Sequence, residues 1–359
     1  MTRRVLSKTH AKLPYLGTPG ADEDHAFSVD RDFDDLCRTR RMNYLMQMVQ
    51  ACNADNDALE ADRRDIMSAL AIALDRCDEV DLVHCRLFIR TVMDLARFLG
   101  FRSALDERVT WGKAALEIAE RLEDDLAIAE LCASTIAWPL LQQGRYDEAR
   151  YYSLKGLEVA KECHDTTAAA RWAGNAARTL SGIAKESKDA DAAYYWAQQA
   201  AIHAQASKDG GLARGAEQDF GYAALLRGDF LEAERRFRAL AEFEEAAQDK
   251  ERFANRSGDL ALAIVNQAIR AKNSDVRISL CMRARALYER GLKLAEELGN
   301  MIMVGEAEVG LAVVARVLGN EEEYDRLVAS GRSRMHKLGV LRPGRSEQFI
   351  FFPETTGGD

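Results

Sequence analysis

Proline is the scarcest structural signal in this chain. There are five among 359 residues; Pro14, Pro19, Pro343 and Pro353 lie toward the ends, which leaves Pro139 alone in the long middle. So little proline, in a middle rich in Ala, Leu, Glu and Arg, predicts nearly continuous α-helix and excludes an architecture of short strands and turns. Long apolar runs are missing as well: none approaches the ~20 residues that span a bilayer. No signal peptide is visible, so the expected location is the cytoplasm, with no membrane partner. The seven cysteines (Cys37, Cys52, Cys77, Cys85, Cys132, Cys163, Cys281) are odd in number and scattered among apolar residues. That distribution fits reduced thiols in a core and excludes a disulfide framework. Excess positive charge is absent too. A formal charge of −9 argues against direct nucleic-acid binding, which needs a basic field.

Catalytic signatures are equally lacking. There is no GxxxxGK[ST] phosphate loop, no GxSxG elbow, no HExxH and no CxxC pair. Two of the six histidines adjoin cysteine, at His84-Cys85 and Cys163-His164. Neighbours on a helix point about 100° apart, so such pairs rarely act as nucleophile and base. Acidic pairs such as Asp124-Asp125 and the run Glu321 to Glu323 fall where helices are expected to start, and there they complement the helix dipole. The expectation is a non-enzyme with no cofactor and no metal site.

What the chain does contain is a repeat. GRYDEA (Gly144, Tyr146, Ala149) recurs as GDFLEA (Gly228, Phe230, Ala233), with the glycines 84 residues apart, or two steps of 42. The polar stretch AKESKDAD at 184–191 falls midway. A step of 44 back reaches Gly100, and 91 forward reaches Gly319, with RAKNSD at 270–275 between. Six helical hairpins are predicted. Within one of their helices, Cys281, Ala284, Tyr288, Gly291, Leu292, Ala295 and Leu298 form a single apolar stripe ended by Gly299. One hairpin cannot bury such a stripe alone, so neighbours must stack.

These residues resemble tetratricopeptide repeats over about 80–337. The family's Leu-Gly, aromatic, Ala, Phe pattern is met best by Phe220, Gly221, Ala224, Phe230, Ala233, Phe237 and Leu240, and next by Ile136, Ala137, Leu140, Tyr146, Ala149 and Gly156. The common unit is ~34 residues, and the longer step here is similar to the long-helix subclass of kinesin light chains, bacterial peptide-sensing regulators and the sensor arrays of signalling ATPases. The outer units carry Leu105 and Tyr324 where alanine would stand, as terminal caps do. Pro139 is expected to kink its helix.

The resemblance implies an all-α, right-handed α-solenoid of stacked antiparallel hairpins whose first helices line a concave groove. Carried over by position, the peptide-binding groove comprises Arg90, Asp94 and Arg97; Trp138 and Gln142; Asn175, Arg178 and Lys185; Gln218 and Tyr222; Gln267 and Arg270; and Arg316. These types anchor an extended peptide through charge-assisted bonds and stacking. The implied function is a non-catalytic scaffold or adaptor that holds a peptide segment of a partner protein. The alternative is a sensor or regulatory subunit of a bacterial signalling system, acting through a separate output protein. Self-association is left open.

The ends differ from the array. Residues 1–30, basic and then acidic, are expected to be a flexible arm, or else a contact for a partner. Helices at 31–52 and 57–77 are read as an extension of the solenoid within a segment 31–78, a separate module being the other reading. The solenoid itself is placed at 79–338. The tail, 339–359, carries Phe349, Ile350, Phe351 and Phe352, a run that would be an aggregation hazard if exposed. It is expected to dock over the last hairpin, in the chain's own groove or on a partner.

Overall fold

The computed structural model describes residues 31–52, 55–77, 82–340 and 350, with only the backbone of 31–35. It divides into two compact units, Met1–Arg41 and Met42–Asp359. Everything below concerns the second. The N-terminal arm and Phe349, Phe351 and Phe352 lie outside the described residues.

Among the described residues every regular element is a helix. Three precede the array: α1 (Arg31–Cys52), α2 (Asn56–Ala61) and α3 (Arg63–Cys77). The helix expected over 57–77 is therefore broken at Asp62. Six antiparallel hairpins follow, pairing α4 (Leu82–Phe101) with α5 (Leu105–Arg121) and, last, α15 (Met301–Val317) with α16 (Glu321–Lys337). Between them lie α9 (Thr166–Glu186) with α10 (Ala190–Ser207), α11 (Gly210–Leu226) with α12 (Phe230–Ala246), and α13 (Lys250–Arg270) with α14 (Ser274–Leu298). The second hairpin is irregular: α6 (Asp125–Glu130) runs through a π-helical turn, Leu131–Ile136, into α7 (Ala137–Gln142), which pairs with α8 (Tyr146–Glu162).

One local device ends most of these helices. A residue at left-handed φ closes the helix, and an Asp or Asn caps the next. Gly228 (φ 77°) with Asp229 and Gly319 (φ 81°) with Asn320 are two cases. The caps accept the backbone N–H of Glu232 and Glu323, each at 3.1 Å, satisfying a donor the helix leaves free. Glu123, Lys188, Lys208 and Gln248 adopt the same φ without being glycine, and an Asp follows each. Gly100 plays no such part. Helix α4 continues through it, and the turn comes at Ser103 (φ 59°).

Small residues set how closely the helices approach. A Cβ on Gly221 would collide with the Phe237 ring, so α11 and α12 pack with that ring against bare backbone. Apolar burial divides into two large clusters, one from α1 to α9 and one from α11 to α15. Between them α9, α10 and α11 bring together buried alanines, Ala177 with Ala200 and Ala216 beside Trp196, and Ala184 with Ala193 and Ala223 beside Leu226. Ile350 is half-buried against the second large cluster.

The stack also returns on itself. Leu105, at the start of α5, shares a buried cluster with Val309, Met335 and Val340 from the last hairpin and its exit. Arg97 of α4 meets Glu251 of α13 at 3.5 Å, 154 residues further along the chain. The first hairpin thus touches the last at one small apolar cluster, and α13 through one exposed ion pair.

Candidate functional site

The concave side encloses a groove of about 720 Å³ lined by the first helices of all six hairpins. The lining residues drift along those helices. On α4 they are in the C-terminal half, Met93 to Phe101; on α9 they run from Asn175 to Glu186; on α13 and α15 they are in the first two turns, Glu251 to Arg256 and Asn300 to Glu306. Each hairpin is rotated on its predecessor, so the groove crosses successive helices nearer their starts.

That drift sorts the residues expected to line the groove. Arg97, Trp138, Gln142, Asn175, Arg178, Lys185, Gln218 and Tyr222 do line it. Five are placed elsewhere, because a fixed position within each repeat ignores the rotation. Arg90 pairs with Asp94 one turn along α4, at 3.1 Å. Gln267 donates to the Phe230 carbonyl at 3.2 Å and to Glu234 at 2.6 Å. Arg270 is the exposed last residue of α13, and Arg316, in the last turn of α15, lies over the Tyr324 ring at 5.0 Å. The same rotation brings in residues the motif could not point to, among them Asn255, Arg256, Met303 and Glu306.

Polar groups in the groove wall are bonded in a chain. Asp219, 1% exposed, accepts from Arg178 Nε and Lys185 Nζ, both at 3.0 Å. Gln218 accepts from Arg178 at 3.3 Å and donates to Asp259 at 2.6 Å, and the Tyr222 hydroxyl donates to the other Asp259 oxygen at 2.6 Å. Burial beside this chain lowers the Arg256 guanidinium below its ordinary range, against the pull of Asp259, and its Nε has no hydrogen-bond partner among the described residues. Two cations on one carboxylate, with every link directional, give a rigid wall. Asn175 lines the groove one turn before Arg178, its side-chain amide making no hydrogen bond with the other described residues.

A second arrangement surrounds Pro139. Lacking an N–H, a proline leaves one carbonyl of the preceding turn without its donor, Thr135 in an α-helical register or Ser134 in a π-helical one. Arg108 of α5 takes both, donating from Nε to Thr135 O at 3.1 Å and from Nη2 to Ser134 O at 2.7 Å. Burial, with the residue 8% exposed, lowers its pKa to about 10. The guanidinium lies over the Trp138 ring at 5.0 Å, and a Cβ on Gly100 would sit 2.6 Å from its Nη1. The kink expected at Pro139 is thus a π-helical turn held from behind by a buried cation.

The Cys163-His164 pair sits at the end of α8 beside Asp124, Asp125 and Asp165. Burial, and then those three carboxylates, push the thiol up, and its Sγ donates to the Val159 carbonyl at 3.5 Å. That is the reverse of what activates a nucleophilic thiol. No group of three metal-ligating side chains occurs among the described residues, and no helix there is long and apolar enough to cross a membrane.

No protein-family model matches the chain, and no curated protein matches its sequence at a significant level. Solved structures do resemble it. The apo form of RapI superposes with a TM-score of 0.58 at 17% identity, covering 82% of this chain and 99% of that one. A Rap protein complexed with competence and sporulation factor gives 0.53 at 14% identity, covering 85% and 99%. Identities this low speak to fold alone, and by its fold this chain is a tetratricopeptide-like helical repeat protein.

Proposed function

We propose that the groove binds a peptide segment of another protein and that the chain is a non-catalytic, cytoplasmic binding module. The observation that carries this is the Asn175 side-chain amide, which makes no hydrogen bond among the described residues, beside a wall in which Arg178, Lys185, Gln218, Asp219, Tyr222 and Asp259 are bonded to one another. A side-chain amide offers one acceptor and two donors, which suits an extended backbone. The bonded wall leaves little to reorganise on binding. The Rap structure solved with a bound factor has the same fold, which supports the reading by analogy.

A second reading, a regulatory subunit that changes shape on binding, is favoured by the contact between Arg97 and Glu251. A ligand filling the groove would compete with it.

The test is selection of randomised linear decapeptides, displayed on phage, against the wild-type protein and Asn175→Ala. Enrichment by the wild type, with recovery reduced about tenfold in a variant of unchanged melting temperature, supports the groove. Equal recovery by both proteins would move the site elsewhere.

A further inference from the structure

The arrangement around Pro139 is more than a repair of a broken helix. Trp138 is 36% exposed and faces the groove, whereas the aromatic rings of Phe88, Phe98 and Phe237 are wholly buried. The indole cannot swing freely. One part of it lies against α4, where Gly100 has no side chain, and the Arg108 guanidinium stacks on the ring. Arg108 is itself fixed, because Nε and Nη2 are committed to the Thr135 and Ser134 carbonyls in the turn before the proline. Three sequence features, a glycine on α4, an arginine on α5 and a proline one residue after the tryptophan, therefore hold one ring in one place.

Apolar side chains line the groove with that ring, among polar neighbours such as Arg97 and Gln142. Met93 and Ala96 share the face of α4 that carries Gly100, Leu141 follows Trp138 by one turn, and Met303 comes from α15. Committing a buried cation to main-chain carbonyls is costly, and a ring that served only to cover the core would not need it.

Resting on the reading of the groove as a peptide site, we propose that Trp138 forms a specificity subsite for a bulky apolar side chain of the bound peptide, aromatic or long aliphatic, and that Arg108 is its positioning residue. A ring already locked in its bound rotamer loses little entropy when a side chain packs on it. The remaining groove polar groups would hold the peptide backbone, so the subsite sets which residue is preferred at one position and leaves the others alone.

The experiment is the same decapeptide selection, read by sequencing the recovered pools for wild type, Trp138→Ala, Trp138→Phe and Arg108→Met. The wild-type pool should carry Phe, Trp, Leu or Met at one position with about tenfold enrichment, equivalent to ~1.4 kcal/mol. Trp138→Ala should lose that preference while keeping the other enriched positions, and Trp138→Phe should retain it. Arg108→Met should weaken the same preference with the other positions unchanged, an outcome that general loss of stability does not produce. If Arg108→Met fails to fold, the two substitutions at the partly exposed Trp138 still decide. A wild-type pool enriched at polar positions only, or an apolar preference that survives Trp138→Ala, overturns the subsite and leaves the groove reading standing. A wild-type pool with no enrichment at all overturns both.

Discussion

Arg108 shows how much a single residue can be asked to do. It satisfies two carbonyls, backs an indole and tolerates burial, with its pKa lowered to about 10. Arg108→Met should therefore cost about 3 kcal/mol in denaturant unfolding, since two buried acceptors lose their donors. Glu130 is a different case. Burial pushes its carboxyl up to about 7 against the pull of Arg90 and Arg171, with Asp94 adding to the rise. The folded state then holds a proton that the unfolded state releases near the ordinary carboxylate value. Stability contributed by that group is fully present below about pH 4.5 and declines as the pH rises through about 7. Glu130→Gln should remove this decline, leaving the variant more stable than wild type at pH 8 by about 2 kcal/mol, checked by urea unfolding across the range. A third residue-scale effect is conformational. Lys208 closes α10 at φ 55°, a region that disfavours a Cβ. Lys208→Gly should raise stability by about 0.5 kcal/mol, visible as a higher urea midpoint at unchanged slope.

At the scale of elements, the helices and their pairing were legible in the sequence, and the reason lies in the turns. Gly144, Gly228 and Gly319 each close a helix where the repeat spacing put a break, and the turns at 187–189 and 271–273 fall inside the polar stretches 184–191 and 270–275. Gly100 misled, because its position in that spacing coincides with a packing role: it makes room for the Arg108 guanidinium. A better signal was present in the acids. Asp124, Asp189, Asp209 and Asp249 each follow a left-handed residue that is not glycine, and each caps the next helix. Asp249→Ala should cost about 1 kcal/mol and increase amide exchange in the first turn of α13, where Glu251 and Arg252 border the groove. The groove was legible over its first four hairpins, where Arg97, Trp138, Gln142, Asn175, Arg178, Lys185, Gln218 and Tyr222 line it although Arg90 and Asp94 do not, whereas Gln267, Arg270 and Arg316, expected in the last two, lie elsewhere once the rotation has accumulated. A repeat motif records position within a unit and is silent about the rotation between units.

For the whole molecule, two features sit at opposite points of the chain's circuit. Leu105 joins the first hairpin to the last through Val309, Met335 and Val340, while α9, α10 and α11 meet midway through close-packed alanines, the Tyr194–Phe220 ring pair and the ion pairs of Asp219. Leu105→Ala should cost about 2–3 kcal/mol in denaturant unfolding and enlarge the radius of gyration by small-angle scattering. An unchanged radius would show that the contact between these hairpins is held elsewhere. An ordinary stack of repeats has two outermost members, each with a neighbour on one side only, and it comes apart from those members inward. Here the two outermost hairpins also touch each other, through the small cluster around Leu105. Deleting α15 and α16 should therefore loosen the start of α5 as well as the adjoining α13 and α14, whereas an ordinary stack would loosen only at the cut.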